Sequence, residues 1–230
     1  MKTIGLLGGM SWESSLEYYR ILNELIQVKL GGLHSAECVM YSVDFDSYAK
    51  WMRQGDWDQI GNNLTALAKK VEEAGADVLL ICTNTMHKLV PAIEPHISIP
   101  ILHIADAAAK AIRKQGFTTV GLLGTRFTME EDFYSARLKE KHGIDVVIPT
   151  SEDRTHIDRI IFEELVKGIL TEDSRQIYIR IIHELQQKGA QGVILGCTEI
   201  PLLIKQADSP IPVFDTTQLH AEYAIQEIFN

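Results

Sequence analysis

Two short stretches carry the residues best able to do chemistry. Val193-Ile194-Leu195-Gly196-Cys197-Thr198-Glu199 is an apolar run that ends abruptly in a thiol, a hydroxyl and a carboxylate, with Ile200-Pro201 behind it. That order fits a buried parallel strand, its C-terminal tip and the start of a helix, the place where open α/β sheets bind ligands. Gly75-Ala76-Asp77-Val78-Leu79-Leu80-Ile81-Cys82-Thr83-Asn84-Thr85 lies over Gly189–Glu199 without a gap, which sets Thr83 against Cys197 at a shift of 114 positions. Two proton-handling groups on opposite faces of one carbon can invert a stereocentre: one removes a proton and the other returns one from the far side. A thiolate serves as the base once hydrogen bonds or a helix N-terminus lower its pKa. The N–H groups of Asn84, Thr85, Thr198 and Glu199 could hold a carboxylate and stabilise the charge that develops on it.

The elements that must position these residues also come in pairs. Thr3-Ile4-Gly5-Leu6-Leu7-Gly8 echoes Thr119–Gly124, and Ile99-Pro100-Ile101 echoes Ile211-Pro212-Val213, at nearly the same shift. Matches in order at a near-constant offset indicate an internal duplication. The expected strands are Thr3–Leu7, Glu37–Val43, Val78–Ile81 and Ile99–Ile104 in the first half, then Val120–Leu123, Val146–Ile148, the run into Cys197 and Ile211–Phe214 in the second. Helices are expected over about Trp12–Leu30 with Ser11 as N-cap, Trp57–Ala74 closed by Gly75, Met129–His142 with Thr128 as cap, Thr155–Lys167 stopped by Gly168, Glu172–Lys188, and the tail from Asp215 to Phe229. The polar segment Asp44–Asp58 reads as a lid, the wall of a site or a surface loop with a short helix. Alternating strands and helices predict an α/β protein of two similar domains, each a mostly parallel sheet flanked by helices. If a pseudo-twofold axis relates the halves, the two tips face each other across the cleft between them.

Composition narrows the function. A formal charge of −9 and a pI near 5.4 speak against nucleic acid as a partner. No apolar run approaches the ~18 residues of a membrane span, and Met1-Lys2-Thr3-Ile4-Gly5 enters a strand pattern directly, so a cytoplasmic protein without a membrane partner is expected. Cys38, Cys82 and Cys197 are too few and too widely spaced for a disulfide framework. Cys38 and Cys82 read as small buried hydrophobes; on a strand, Cys82 points away from whatever Thr83 faces. Cys82, His87, Cys197 and His220 lack zinc-ligand spacing, so no metal is expected. Gly5, Gly8 and Gly9 do not make the dinucleotide fingerprint.

The Thr-Ile-Gly-Leu-Leu-Gly-Gly-Met opening, the Asn84-Thr85 tip followed by His87, and Gly196-Cys197-Thr198-Glu199 resemble the aspartate/glutamate racemase family over essentially the whole chain. The resemblance implies an isomerase that interconverts L- and D-aspartate or glutamate without pyridoxal phosphate or any other cofactor, acting on a small amino acid as a homodimer. It implies two α/β domains with the active site in the cleft between them, catalytic roles for Thr83 and Cys197, and substrate contacts from Met10, Met52, Asn84, Thr85, Thr198 and Glu199. It also implies a C-terminal helix that packs on the first domain, so the expected boundaries are 1–104 with 215–230 for the first domain and 105–214 for the second. Family members usually carry cysteine where this chain has Thr83, and the chain is most similar to the L-aspartate/glutamate-specific branch with the Thr and Cys pair. Cys197 should then deprotonate L-substrates while Thr83 returns the proton, with slow racemisation that favours L-forms. Where aspartate-specific members place an arginine, this chain has Ser47; Met52, Arg53 and Lys167 are the alternatives for side-chain recognition. Glu199 and His87 read either as acid, base or orienting groups or, equally, as hydrogen-bonding residues at helix starts. Other readings are a broad-specificity racemase, a related carboxylate isomerase or decarboxylase, a non-catalytic two-lobed binding protein, and a Cys/His hydrolase.

Overall fold

The computed structural model describes residues 1–229; Asn230, the last position of the expected first domain, lies outside them. The chain forms two compact units, Met1–Ile104 joined by the segment from His220, and Ala105–Leu219.

In the first unit, β1 (Ile4–Gly8) is central, with β2 (Cys38–Ser42) on one side and β3 (Val78–Ile81) on the other, all parallel. All of β1 and β3 is buried, as expected for strands covered on both faces, and both sequences are accordingly near-continuous apolar runs. Helix α1 (Trp12–Leu30) is capped by Ser11, whose side chain accepts from the Ser14 N–H. Its inward face, with Tyr18, Ile21, Leu22 and Ile26, packs in one core with Ile4, Leu6, Leu80 and Cys82. Ala221, Ala224, Ile225 and Ile228 of the C-terminal segment complete that core.

One expectation for this unit is corrected. Ile99–Ile104 is not a strand: only Ile101 bridges to Leu79, and Ile104 already starts a helix. Pro100 has no N–H to give a ladder, which limits pairing there. The polar segment after β2 holds one short helix, α2 (Phe45–Gln54), capped by Asp44 and ended by Gly55, and the expected helix α3 (Trp57–Glu73) follows, capped by Asp56. The aspartates that make the segment look loop-like are the caps themselves.

In the second unit, the strand order is β5-β4-β6-β7, again all parallel: β4 (Thr119–Gly124), β5 (Asp145–Val147), β6 (Val193–Gly196) and β7 (Val213–Asp215). This repeats the first unit's order, β4, β5 and β6 standing for β1, β2 and β3, with the Ile101 bridge in the place of β7. The central pair is tight: a Cβ at Gly124 would lie 2.7 Å from the Gly196 carbonyl oxygen, and one at Gly196 would lie 2.8 Å from that of Leu123. Only glycine fits at either position.

The remaining helices are α4 (Val90–Ile93), α5 (Ile104–Lys114), α6 (Arg126–Glu130), α7 (Asp132–His142), α8 (Ser151–Glu163), α9 (Glu172–Gln187), α10 (Ile200–Leu203) and α11 (Thr216–Phe229). Thr125, rather than Thr128, caps α6, and α8 starts at Ser151 under a Thr150 cap, four residues before the expected start. Among the described residues no helix is long and apolar enough to cross a membrane.

One ion pair ties α5 to α7. Arg137 donates to both oxygens of Asp106, at 2.7 and 2.6 Å, and His142 Nε2 lies 2.9 Å from Oδ1. Burial alone would raise the Asp106 carboxyl, but Arg137 and His142 outweigh it and hold it below the usual carboxylate range. Replacing Arg137 with Met should destabilise this unit by about 1–3 kcal/mol in urea melts at pH 7, because a part-buried carboxylate loses its fork of donors. Since the folded pKa is depressed, the pair's stabilisation is present above the unfolded value of about 3.9 and is lost as pH falls through the folded one. The deficit of the variant should therefore shrink in acid.

Candidate active site

The tip of β3 is a chain of buried polar residues. Cys82 is fully buried in the core of α1 and β1, and burial pushes its thiol far above the ordinary range, with a smaller contribution from Cys38. It is an inert thiol, as the alternation of side chains along a strand predicts. Its carbonyl accepts from Ser14 Oγ at 3.1 Å, and its N–H donates to the Leu7 carbonyl.

Thr83 follows at 9% exposure, its N–H turned back onto the Ile81 carbonyl at 2.8 Å. Asn84, at 1%, leads into the 3₁₀ turn Thr85–Leu89. His87 Nδ1 lies 2.8 Å from the Thr83 carbonyl, and His87 Nε2 accepts from the Ile104 N–H at 3.2 Å. Both ring nitrogens of His87 thus meet backbone groups, the pattern of a hydrogen-bonding residue at the start of a helical turn.

Met10 is buried in the turn after β1. That turn is held by the chain's own groups: the Gly9 N–H donates to Ser15 Oγ at 2.7 Å, and Gly9, at φ +89°, passes so close to the Val43 backbone that no Cβ fits. Met52 is buried on α2, whereas Arg53 on that helix and Lys167, in the turn after α8, are exposed.

The tip of β6 holds the reactive set of the second unit. Cys197 (8% exposed), Thr198 (3%) and Glu199 (2%) are buried together. Glu199 Oε2 accepts from Cys197 Sγ at 2.9 Å and from Thr198 Oγ1 at 3.1 Å. The Thr216 hydroxyl donates to the Leu195 carbonyl at 2.7 Å and steadies the strand below the tip.

The direction of the Cys197 pKa reverses the expectation of a lowered one. Burial pushes the thiol well above its ordinary value, and the Glu199 carboxylate adds to this by its charge and by accepting the S–H; only the Glu199 backbone N–H opposes. The helix that follows, α10, has four residues, too short to supply a strong field. Cys197 rests as a thiol hydrogen-bonded to a carboxylate. Such a thiol becomes a base only when its own proton leaves, and Glu199 stands at the position to take it.

Glu199→Gln removes that charge and should move the Cys197 thiol down toward, though not to, its ordinary value. Alkylation of Cys197 by iodoacetamide at pH 8 should then be faster than in the wild type, with peptide mass spectrometry identifying the site. An unchanged or slower rate would mean that the carboxylate does not control the thiol.

Sequence reasoning did not single out Tyr178. It lies fully buried on α9, its hydroxyl without a hydrogen-bond partner among the described residues, and burial followed by the charges of Cys197 and Asp158 raises its pKa well above the ordinary value. The helical period of α9 marks Tyr178 only as core, so no sequence signal distinguishes it. Among the described residues there is no group of three or more His, Cys, Asp or Glu side chains placed to hold a metal ion.

Comparison with known proteins gives concordant results. The Asp/Glu/Hydantoin racemase family model matches residues 7–224. The broad specificity amino-acid racemase RacX of Bacillus subtilis (strain 168) is 24% identical over 229 residues, covering 96% of each chain. A Yersinia pestis protein of known structure, provisionally named an Asp/Glu racemase, is 50% identical over 100% of both chains with a TM-score of 0.92. PH1733, an aspartate racemase homologue from Pyrococcus horikoshii OT3, is 36% identical over 100% of both chains with a TM-score of 0.85. With the family model spanning nearly the whole chain and both strand tips inside the matched region, the chain belongs to the Asp/Glu/Hydantoin racemase family of isomerases.

Proposed function

We propose that this chain is a cofactor-independent amino-acid racemase that interconverts L- and D-aspartate or glutamate by two-base α-proton transfer, favouring L-substrates. The observation that carries the reading is the Cys197–Glu199 contact: a buried thiol donating to a buried carboxylate at 2.9 Å is a base with its proton acceptor attached.

The Cys197 S–H proton passes to the Glu199 carboxylate, and the thiolate takes the α-proton of the L-amino acid. The electron pair left on Cα is delocalised into the substrate carboxylate. The Thr83 hydroxyl delivers its proton to the opposite face, giving the D-form and an alkoxide that takes a proton from solvent, while Glu199 gives up to solvent the proton it took, so that Cys197 again carries a proton and the site returns to its starting state. Asn84, Thr85 and Thr198 are assigned to the substrate carboxylate, and Met10 and Met52 to the apolar wall. Glu199, with its N–H on the sulfur and its carboxylate on Cys197 and Thr198, is assigned to proton relay at least as much as to substrate contact.

A broader amino-acid range is the second reading. It is favoured by the name of the RacX relative and by Ser47, part-buried on α2, where an arginine would select a β-carboxylate.

The test is proton NMR in D₂O of L- and D-aspartate, L- and D-glutamate and a set of non-acidic amino acids, without added cofactor, together with chiral chromatography. Loss of the α-proton signal and appearance of the opposite enantiomer support the reading and rank the substrates. Absence of exchange in every amino acid would sink it.

The reading includes a homodimer. It is supported by the outward face of α1, where Trp12, Leu16 and Tyr19 are 64%, 55% and 50% exposed, beside the uncovered edge strand β2 with Met40 and Tyr41 exposed. Large exposed apolar side chains grouped on one face mark interaction sites. Arg20 pairs with Glu17 and Glu24 of the same helix, so the charges beside this face are already balanced within one chain. Leu16→Asp should give a monomer in sedimentation equilibrium at concentrations where the wild type is a dimer.

A further inference from the structure

The Thr83 tip rests on a buried cluster of rings. His87, His103 and His220 are 1%, 4% and 0% exposed; the His87 ring lies 4.5 Å from that of His103 and 5.7 Å from that of His220, centroid to centroid. His220 Nε2 lies 2.6 Å from the Leu102 carbonyl oxygen, so it must be the donor there, and in the neutral ring Nδ1 then accepts from the Tyr18 hydroxyl at 2.8 Å.

The state of His87 is fixed by its neighbours. A backbone N–H can only donate, so Nε2, facing the Ile104 N–H, carries no proton. The neutral ring therefore carries its proton on Nδ1 and donates it to the Thr83 carbonyl. A proton on Nε2 would set two donors against each other. With the Thr83 N–H on Ile81 and its carbonyl on His87, both peptide groups of that residue are tied, and so is the direction of the Cα–Cβ bond that carries its hydroxyl.

We infer that His87, held as the neutral Nδ1–H tautomer by the Ile104 N–H, is a positioning residue that aims the Thr83 hydroxyl for its step. The inference rests on the racemase reading above for what that step is. The Cys197 step draws on a different tip and does not depend on it, so loss of His87 should separate the two halves of the reaction. A small misplacement of a reacting group costs one to two orders of magnitude in its own step.

The experiment follows L-aspartate and L-glutamate in D₂O with the wild type, His87→Leu and His87→Asn, measuring α-deuteration of the L-form and formation of the D-form in the same sample. In His87→Leu, D-product should fall about ten- to a hundredfold relative to deuteration. In His87→Asn, whose amide can still donate to the Thr83 carbonyl, part of the loss should be restored. An equal fall in both signals would mean that the substitution only lowers the folded fraction, and would overturn the inference.

Side-chain ¹⁵N–¹H spectra of the histidine-labelled wild type, and the ¹³C shift of the Thr83 carbonyl across the three proteins, decide the point without turnover. A neutral Nδ1–H ring, with a Thr83 carbonyl that shifts in the Leu variant and returns toward the wild-type position in the Asn variant, supports it. A cationic or Nε2–H ring, or an unmoved carbonyl, overturns it. If the wild type exchanges no α-proton, the racemase reading fails on its own, and the spectra still decide whether His87 sets the Thr83 backbone.

Discussion

Cys197→Ala should abolish both α-proton exchange of L-aspartate and L-glutamate and formation of their D-forms, by about 10³-fold or more. A positioned general base is worth roughly 10²–10⁴ in rate, and at this tip the base is the sulfur itself. The variant keeps Glu199, but the carboxylate then has no thiol proton to accept, and a carboxylate is a weaker base than a thiolate toward a substrate carbon. Cys197→Ser should recover little, because a hydroxyl loses its proton less readily than even a thiol raised by burial. The pH dependence follows from the same contact. A thiol held above its ordinary value is protonated at neutral pH and passes its proton within the Cys197–Glu199 pair, so the pair's reactive form does not depend on pH across that range and exchange should show no step at the ordinary thiol value of about 8.5. Cys82→Ala supplies the control. It removes a core sulfur, which costs stability, yet it should leave exchange per folded molecule unchanged, since that thiol faces the α1 core. If Cys82→Ala were the variant that lost exchange, the assignment of the two cysteines would be wrong.

The residues that reveal this chemistry are unequally legible in the sequence. The strands before both tips are buried on both faces, so Val78–Ile81 and Val193–Gly196 appear as continuous apolar runs, and the duplication aligns their ends by residue type alone. Helix α1 is equally plain, from Ser11 to its glycine end. Ile99–Ile104 misleads because apolar β-branched residues beside a proline look like a strand, whereas pairing depends on which backbone groups meet a neighbour, and here only the Pro100 carbonyl and the Leu102 N–H on either side of Ile101 reach Leu79. The caps Asp44 and Asp56 leave their segment open between loop and helix, since the residues that start helices are also those that fill loops. At the site, side-chain identity is readable and electrostatic sign is not. Cysteine two residues before glutamate is visible in one dimension; that the glutamate turns back onto the sulfur and raises its pKa is a consequence of burial and of the turn into α10. His87 likewise shows its chemistry in sequence but not its tautomer, which is set by an N–H seventeen residues away.

The second large effect is expected at Thr83. Thr83→Ala should leave α-deuteration of L-substrates in D₂O within a few-fold of the wild type while D-product falls by about 10²-fold or more, because proton removal belongs to Cys197 and proton return to the hydroxyl. The pair is unequal for a chemical reason. Running from the D-side, the same hydroxyl must act as the base, and an alcohol is a far weaker acid than a thiol, so its conjugate base is scarce at neutral pH. Among the described residues no carboxylate is bonded to the Thr83 hydroxyl as Glu199 is to Cys197; the bonds seen at Thr83 are made by its backbone, to Ile81 and His87. Thr83→Cys tests the point directly. It places a thiol on the tip that matches β6 in the duplication, and should raise the rate from D-substrates more than the rate from L-substrates, narrowing the preference without moving the L/D equilibrium. A single-enantiomer assay could not see this; initial rates from both directions, with exchange measured beside inversion, can. Equal wild-type rates from L- and D-substrates would remove the basis for treating Thr83 as the weaker partner, and unchanged D-product in Thr83→Ala would remove Thr83 from the reaction.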